Sequence, residues 1–570
     1  MNMANDFSIV LAGAAGQGIQ VVENLAVNIF KKSGFNVFAV KKYMSRVRGG
    51  NNSTEIRISD EKVRAYLDRI DIFIPFSKKA LFAAKTRISE KTLIILDEKI
   101  VKEIGKFNDG ENIIKLPISE SAEDIKEKIL INTISTGILS AILGLDKKTG
   151  KKEIEKYFEK KGEKIVAINL KAFNAGYELI DGFHEKTFKR FRINRNEKRD
   201  KEILINGSEA ITYGGLAAGC NFVSAYPMSP STDVLQIFSK NAKEFGVVVE
   251  QIEDEISAVN MSIGAWYAGA RAMVTTSGGG FALMSEGLSL SGMIESPLVI
   301  HNSQRPAPAT GLPTRTAQED LNLVIHSGHG EFPRIVFAPG TLEEGFYLSQ
   351  IAFNYADKFQ VPVIILTDQY YVSSYYNFSI PDLNKIDNEK SFIKTEKNYK
   401  RHKLTENGIS PRGIPGFGEG LVRTTGNEHL ENGMITEEKE IRNKMQDKRN
   451  RKRQTILENF IEPNFVGLED YNNLIVCWGS TFLIIKEAVQ NMNQKDTSIL
   501  HFKQVYPLSD SVKKYFDKAN KTIVVENNST GQFKRLLKAE LNINCDESIL
   551  KYDGRSFSVE NLTKKLQKRI

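Results

Sequence analysis

Cysteine is almost missing from this chain: only Cys220, Cys477 and Cys545 occur in 570 residues, far apart and without any CxxC. No disulfide framework follows, which fits a reducing cytoplasm. Three thiolates also fall one short of the four that hold an iron-sulfur cluster, so the chain alone cannot carry one. Long apolar runs are missing too. Nowhere do eighteen consecutive apolar residues appear, and no membrane span is expected. The early run FSIVLAGAAG follows Asp6 and no basic residue, so it reads as a buried strand and glycine turn, not a signal-peptide core. HExxH and GxSxG are absent. His326 and His329, in HSGHGE, lack a third ligand nearby, so no metal site is expected, and Ser285 in LMSEG suggests no hydrolase triad.

What is present is ordinary globular composition, 41% apolar and 26% charged, with length for three or four domains. Net charge is +8 with a pI near 8.9, yet basic and acidic residues interleave. That pattern reads as solvated helical faces and not as a nucleic-acid surface, although the balance would steer an acidic protein partner.

Residues 1 to 190 alternate strand and helix patterns. FSIVLAG, FNVFAV, STEIRIS, IDIFIPF, KTLIILD and NIIKLPI predict strands, and Gln17 to Lys32 a helix closed by Gly34. Such alternation argues an open α/β sheet. Gly13, Gly16 and Gly18 lie between the first strand and helix, a place suited to an anion. Their spacing is not GxGxxG and no ribose-binding acid follows, so a dinucleotide site is not supported. A basic stretch, Lys186 to Lys201, reads as a linker. The strand FVSAYP then leads into MSPST, where Ser231 or Thr232 can cap the next helix. VVVEQIEDE ends in acids, the last of which, Glu255, precedes a helix bearing Ala258, Ser262, Ala265 and Gly269 on one side, a spacing that permits close helix approach.

The most informative stretch runs from Val274 to Glu331. An apolar strand is followed by Ser277, Gly278, Gly279 and Gly280, a small-residue helix, the strand PLVIHN, and then Arg305 and Thr314 among Pro306, Pro308 and Pro313. Glycines let the backbone approach a ligand and leave N–H groups free to donate. Proline-fixed backbone around one arginine suits a clamp for a small carboxylate, which a guanidinium binds through two parallel hydrogen bonds. The alternative is an arginine in an ordinary surface loop. Asp320 and Gln318 are expected to order this loop from behind.

SAYPMSPST, EQIEDEISAVNMSIGAWYAGARA, TSGGG and QRPAPATGLPTRTAQEDL occur in that order over more than 100 residues. They resemble the alpha subunit of the 2-oxoacid:ferredoxin oxidoreductases, particularly the 2-oxoglutarate type. Ser229 stands where that family usually has threonine, and Ala307 where it has glycine. GAAGQG and Arg48-Gly49-Gly50 resemble the GxGGQG turn and RGG motif of the family's gamma subunit, here fused in front of alpha.

The resemblance implies a multidomain α/β protein. A gamma-type α/β domain would occupy 1–190, a basic linker 191–204, a thiamine-diphosphate pyrimidine-binding α/β domain 205–384, an irregular connection 385–465, and a transketolase C-terminal-like α/β domain 466–570. In the connection, the charged segment EEKEIRNKMQDKRNRKR reads by default as a solvated helix, with a lid over the site as the alternative. In the last domain Glu526, Asn527 and Gln532 are expected to be structural.

The resemblance also implies CoA-dependent oxidative decarboxylation of a 2-oxoacid, with ferredoxin as acceptor. Glu255 would hydrogen-bond the aminopyrimidine ring, with Glu253 as its rival. Tyr226, Pro227, Ser229, Pro230, Ser277, Gly278 and Gly279 would line the thiamine diphosphate. Arg305, Thr314 and Ser229 would hold the substrate carboxylate. Gly13, Gly16, Gly18, Arg46 and Arg48 either pack against the next domain or approach coenzyme A phosphates. No GDG occurs, so a beta subunit would supply Mg2+, the diphosphate half-site and the iron-sulfur cluster, in a dimer of alpha-beta heterodimers. Pyruvate, branched-chain or aryl 2-oxoacids remain open as substrates, as does a non-catalytic assembly role.

Overall fold

The six apolar runs of the first 120 residues all become strands of one sheet in the computed structural model, which describes residues 6–14, 19–44, 51–104, 112–125, 130–183, 185–196, 201–388, 390–494 and 496–570. Two compact units form. The first comprises Met1–Ile205, Ser373–Ile380 and Ser558–Asn561; the second comprises Asn206–Val372, Pro381–Phe557 and Leu562–Ile570.

In the first unit the eight strands run, side by side, Ile113–Leu116, Leu93–Asp97, Ile72–Pro75, Asp6–Ala14, Asn51–Ser59, Asn36–Lys42, Ser374–Ser379 and Glu202–Asn206. Strand Asp6–Ala14 pairs parallel with Ile72–Pro75 on one side and antiparallel with Asn51–Ser59 on the other. Helix Ile19–Lys32 covers one face, and behind it Ile131–Ile142 packs on Glu163–Glu178. Glycine makes that helix pair possible. A Cβ on Gly176 would stand 2.0 Å from the Ile134 carbonyl, and one on Gly137 would stand 2.3 Å from that of Phe173. The basic stretch near residue 190 is not simply a solvated linker, because Phe188, Phe191 and Ile193 enter this core.

The second unit contains two sheets that share a core cluster. Its seven-stranded sheet runs Gln504–Tyr506, Ile335–Phe337, Pro362–Asp368, Leu298–Gln304, Ala272–Thr276, Phe222–Ala225 and Val248–Gln251. All neighbours are parallel except the first pair. The chain passes from Phe222–Ala225 to Val248–Gln251 on one side, then returns to Ala272–Thr276 on the other. The strand order therefore reverses between Phe222–Ala225 and Ala272–Thr276, and the loops after these strands diverge to leave a crevice at their carboxyl ends. The second sheet runs Asn464–Val466, Thr497–Phe502, Asn473–Trp478, Lys521–Glu526 and Glu547–Leu550, parallel except for its first pair.

The charged segment folds differently from its solvated-helix reading. Helix Lys439–Glu458 buries Met445, Lys448, Arg449, Lys452 and Ile456 along one side. Its lysines meet Glu295, whose carboxylate lies 2.5 Å from the Lys448 ammonium and 2.6 Å from that of Lys452, all three side chains being at most 1% exposed. Burial works against ionising Glu295, but the two lysines outweigh it and hold the carboxyl well below its usual range. Glu295→Gln should strand two ammonium groups inside the protein and destabilise this unit by about 3–5 kcal/mol. Denaturant unfolding checks this, and an unmoved midpoint would refute it.

Candidate functional site

The predicted site residues fall on loops that follow four neighbouring parallel strands. Tyr226, Pro227, Ser229 and Pro230 follow Phe222–Ala225; Glu255 lies four residues beyond Val248–Gln251; Ser277 to Gly280 follow Ala272–Thr276; Arg305 follows Leu298–Gln304. Carboxyl ends of parallel strands, next to the point where strand order reverses, are where open α/β sheets place ligands.

Glu255 opens helix Glu255–Tyr267, whose first amides are capped by the Asp254 carboxylate at Ile256 N (2.9 Å) and Ser257 N (3.3 Å). Asp254 thus satisfies the helix terminus and leaves Glu255 free to point inward. The side chain is 3% exposed, whereas Glu253 is exposed. Oε1 of Glu255 is buried without a hydrogen-bond partner among the described residues. Burial raises its pKa, with the negative charges of Asp254 and Glu253 adding to the rise.

Glycine is required where this carboxyl meets the next loop. A Cβ on Gly280 would stand 2.5 Å from Glu255 Oε1 and 2.2 Å from Thr276 Oγ1. A Cβ on Gly278 would stand 2.5 Å from both oxygens of Asp320. One turn therefore has a buried acid against each side. Asp320 accepts from Asn302 Nδ2 at 3.2 Å, and burial pushes its pKa up to about 6. Ser277 Oγ and Asn302 Oδ1 are also buried without partners. The three glycines do not form a loop ahead of the helix, as the sequence suggested; with Ser277 as N-cap they are the helix's own first turn.

Arg305 is half-buried. Its Nη1 donates to the Ser229 carbonyl at 2.6 Å, and its remaining N–H groups have no partner among the described residues. Burial lowers its pKa, and the Asp320 charge opposes that shift. Ser229 thus reaches the arginine through its backbone. The Thr314 side chain is 8% exposed, and its hydroxyl has no hydrogen-bond partner among the described residues. Tyr226 and Pro227 are half-buried, and Pro230 is buried. Ser231 does occupy the N-cap of helix Thr232–Phe245, but its hydroxyl donates to the Met228 carbonyl at 2.7 Å, so it braces the preceding loop and caps nothing.

Elsewhere, Gly13 is the penultimate residue of strand Asp6–Ala14, opposite Asn52. Gly16, Gly18, Arg46 and Arg48 lie outside the described residues. His326 and His329 are exposed. Sequence reasoning missed a different group, Glu295, His402 and His429, whose ligand atoms lie within 4.8 Å of one another. Two ammonium groups already occupy the Glu295 carboxylate, so a metal cation there would meet strong repulsion. Its members lie far apart in sequence, and no local spacing could have announced it.

An orphaned carboxyl beneath a glycine turn, at the strand carboxyl ends of a doubly wound α/β sheet, lies where proteins of this class place a ligand. Residues 213–447 match the family described as pyruvate flavodoxin/ferredoxin oxidoreductase, thiamine diphosphate-binding, and residues 8–179 match pyruvate ferredoxin/flavodoxin oxidoreductase. A 2-oxoacid:ferredoxin oxidoreductase alpha subunit from a Sulfolobus species is 30% identical over 99% of this chain and 97% of its own. A 2-oxoglutarate synthase subunit from Archaeoglobus fulgidus is 33% identical over 57% of this chain and 88% of its own. Among solved structures, 2-oxoglutarate:ferredoxin oxidoreductase from Magnetococcus marinus, with 2-oxoglutarate, coenzyme A and succinyl-CoA bound, aligns with TM-score 0.91 and 30% identity, covering 99% of both chains. The chain belongs to the 2-oxoacid:ferredoxin oxidoreductase alpha subunits, in the form that carries the gamma-type region at its N-terminus.

Gly280→Ala should drive the Glu255 carboxyl from its place. Loss of at least about tenfold in turnover is expected, because an ångström-scale misplacement at a reacting centre costs that much or more. Wild-type turnover in this variant would show that the glycine contact is dispensable.

Proposed function

We propose that this chain provides the pyrimidine-side half of a thiamine diphosphate site, and that with a beta subunit it converts 2-oxoglutarate and coenzyme A to succinyl-CoA and CO2. The observation that carries the reading is the buried, unpartnered Oε1 of Glu255 beneath the Gly278–Gly280 turn. A carboxyl taken from water without a partner costs free energy unless a ligand supplies one. The orphaned oxygens of Ser277 and Asn302 fit the same polar ligand.

When bound, thiamine diphosphate supplies the nucleophilic carbon and the electron sink for loss of CO2. Glu255, its pKa raised by burial, would hold a proton at Oε1 and offer it to the ring nitrogen N1′ of the bound group. Tyr226, Pro227, Ser229, Pro230, Ser277, Gly278 and Gly279 line the group. The unpaired N–H groups of Arg305 and the Thr314 hydroxyl hold the substrate's C1 carboxylate, and fixing it supplies the proximity that accelerates attack. The bond from C1 to C2 breaks and CO2 leaves. An iron-sulfur cluster in the beta subunit would supply the path by which the two electrons of this oxidation reach ferredoxin. The coenzyme A sulfur bonds to the acyl carbon and its proton is released.

The beta subunit would also carry Mg2+ and the diphosphate contacts, in a dimer of alpha-beta heterodimers. Three buried free cysteines fit a cytoplasmic setting. The choice of 2-oxoglutarate follows the Archaeoglobus relative and the Magnetococcus structure. Turnover measured with 2-oxoglutarate, pyruvate, branched-chain and aryl 2-oxoacids, each with coenzyme A and a viologen dye, tests it; a clear preference for any other acid overturns the choice.

Glu255→Gln should lower kcat by roughly a hundredfold or more while the complex still assembles, because the amide cannot manage the ring proton. Near-normal turnover would sink the assignment. Arg305→Lys should raise the 2-oxoacid KM by about tenfold or more through loss of the two-point contact. An unmoved KM would place the carboxylate elsewhere.

A further inference from the structure

The second unit contains two sheets that each reverse their strand order. In the C-terminal sheet the chain goes from Asn473–Trp478 to Thr497–Phe502 on one side, then to Lys521–Glu526 on the other. Strand order therefore reverses between Asn473–Trp478 and Lys521–Glu526, which is where such a sheet offers a ligand site. The chain's own Gln318 occupies it.

Gln318 is fully buried, and every hydrogen bond it makes runs to the loops at these two strand ends. Its Nε2 donates to the Trp478 carbonyl (2.9 Å), and its Oε1 accepts from Asn527 N (2.9 Å). Its backbone N–H donates to the Asn527 carbonyl (2.7 Å), and its carbonyl accepts from Asn528 Nδ2 (3.0 Å). The socket is shaped for it. Gly479 has φ +60°, and a Cβ there would stand 2.9 Å from Gln318 Nε2.

On either side of Gln318 the loop that carries Arg305 and Thr314 is tied down. Thr316 N donates to the Gly554 carbonyl (3.2 Å), and Thr316 Oγ1 donates to Asp368 (3.0 Å), which also accepts from Ser480 Oγ. Gln532 Nε2 donates to the Glu319 carbonyl (2.7 Å) and its Oε1 accepts from Asn322 N (2.9 Å). Asp320 N donates to Gln304 Oε1 (2.9 Å), which returns the loop to the residue preceding Arg305. Within the loop, between Arg305 and Arg315, three backbone N–H groups donate among the described residues: Ala307 N to the Glu319 carboxylate (2.8 Å), Leu312 N to the Pro306 carbonyl (3.0 Å) and Arg315 N to that of Leu312 (3.0 Å). To these the C-terminal domain adds its ties at Gly554, Trp478, Asn527, Asn528 and Gln532.

We propose that Gln318 is a positioning residue for the substrate clamp, and that the C-terminal sheet's ligand crevice serves as its socket, so that this domain sets affinity for the 2-oxoacid. The proposal rests on Arg305 and Thr314 holding the substrate carboxylate. A clamp held in its bound geometry spares the ordering cost of binding. Freed from the socket, the loop would sample other positions, and substrate binding would have to reorder it. Turnover of bound substrate depends on Glu255 and the glycine turn, which Gln318 does not touch.

The test uses the whole complex with its beta subunit, steady-state kinetics on the preferred 2-oxoacid, and the variants Gln318→Ala, Gln318→Met and Arg305→Lys. Gln318→Met keeps the length of the side chain without its hydrogen bonds, and carries the test should the alanine variant fail to assemble. The expected result for the Gln318 variants is a KM raised roughly tenfold, with kcat falling far less, since two buried hydrogen bonds are lost. Gly479→Ala should produce the same split from the opposite wall, and combining it with Gln318→Ala should add little more. If Arg305→Lys raises KM while both Gln318 variants leave it at the wild-type value, Gln318 does not position the clamp. If KM stays while kcat falls, the residue acts on the chemistry and the proposal fails. If Arg305→Lys itself leaves KM unmoved, the carboxylate assignment fails first and this inference with it.

Discussion

Close approach at the Gly278–Gly280 turn is the constraint on which the site depends. Two buried carboxyls, Glu255 and Asp320, lie where side chains on Gly280 and Gly278 would stand. Neither is paired with a lysine or arginine at hydrogen-bond distance, in contrast to Glu295, and burial raises both pKa values. Both acids therefore take up a proton more readily than an ion-paired carboxylate would. They differ in one respect. Asp320 already has Asn302 as a donor, whereas Oε1 of Glu255 has none. The unsatisfied member lies against Gly280 and the satisfied one against Gly278.

Much of this was legible in sequence, for a reason that also sets its limit. Strands such as FSIVLAG and KTLIILD are continuous apolar runs bounded by polar residues, the pattern of a strand buried on both faces, and they fold as read. Glu255 could be preferred over Glu253 from its place directly before the small-residue helix, and burial separates the two in the same sense. These are local signals. The misread features are nonlocal ones. Helix Lys439–Glu458 looks solvated because its partner carboxylate, Glu295, lies about 150 residues earlier. Ser231 has the right type and place for a cap, yet the Met228 carbonyl competes successfully for its hydroxyl.

The two sheets of the second unit show one topology used in two ways. Each reverses its strand order beside a central strand, and each therefore presents divergent loops at the carboxyl ends. In the larger sheet the loops carry glycines and buried polar atoms without partners. In the smaller sheet the corresponding positions, Trp478, Asn527 and Asn528, each make a hydrogen bond to one glutamine from the larger sheet's own loop. Glu526 beneath them accepts from Trp478 Nε1, Asn528 Nδ2, Phe533 N and Lys534 N. A carboxylate with four donors and no free oxygen braces a socket; it has nothing left to offer a substrate. Its expected structural role follows from that saturation.

Glu295 joins this arrangement to the rest of the unit. It closes helix Ser285–Ile294, which follows the glycine turn, and precedes strand Leu298–Gln304, which leads to Arg305. Its backbone is left-handed, at φ 52°, a conformation that costs a non-glycine residue about 1–2 kcal/mol. Such strain persists only where the surroundings over-determine it. Here Lys448, Lys452 and His402 converge on the carboxylate, while Arg401 donates to the Glu295 carbonyl at 2.7 Å. The chain must reverse between helix and strand at this residue, and the ionic contacts hold the reversal in one geometry. A leucine here would leave the buried Lys448 and Lys452 ammonium groups without their counter-charge. The ion pairs set which face of a polar helix lies against the domain, at the residue that links the glycine turn's helix to the strand before Arg305.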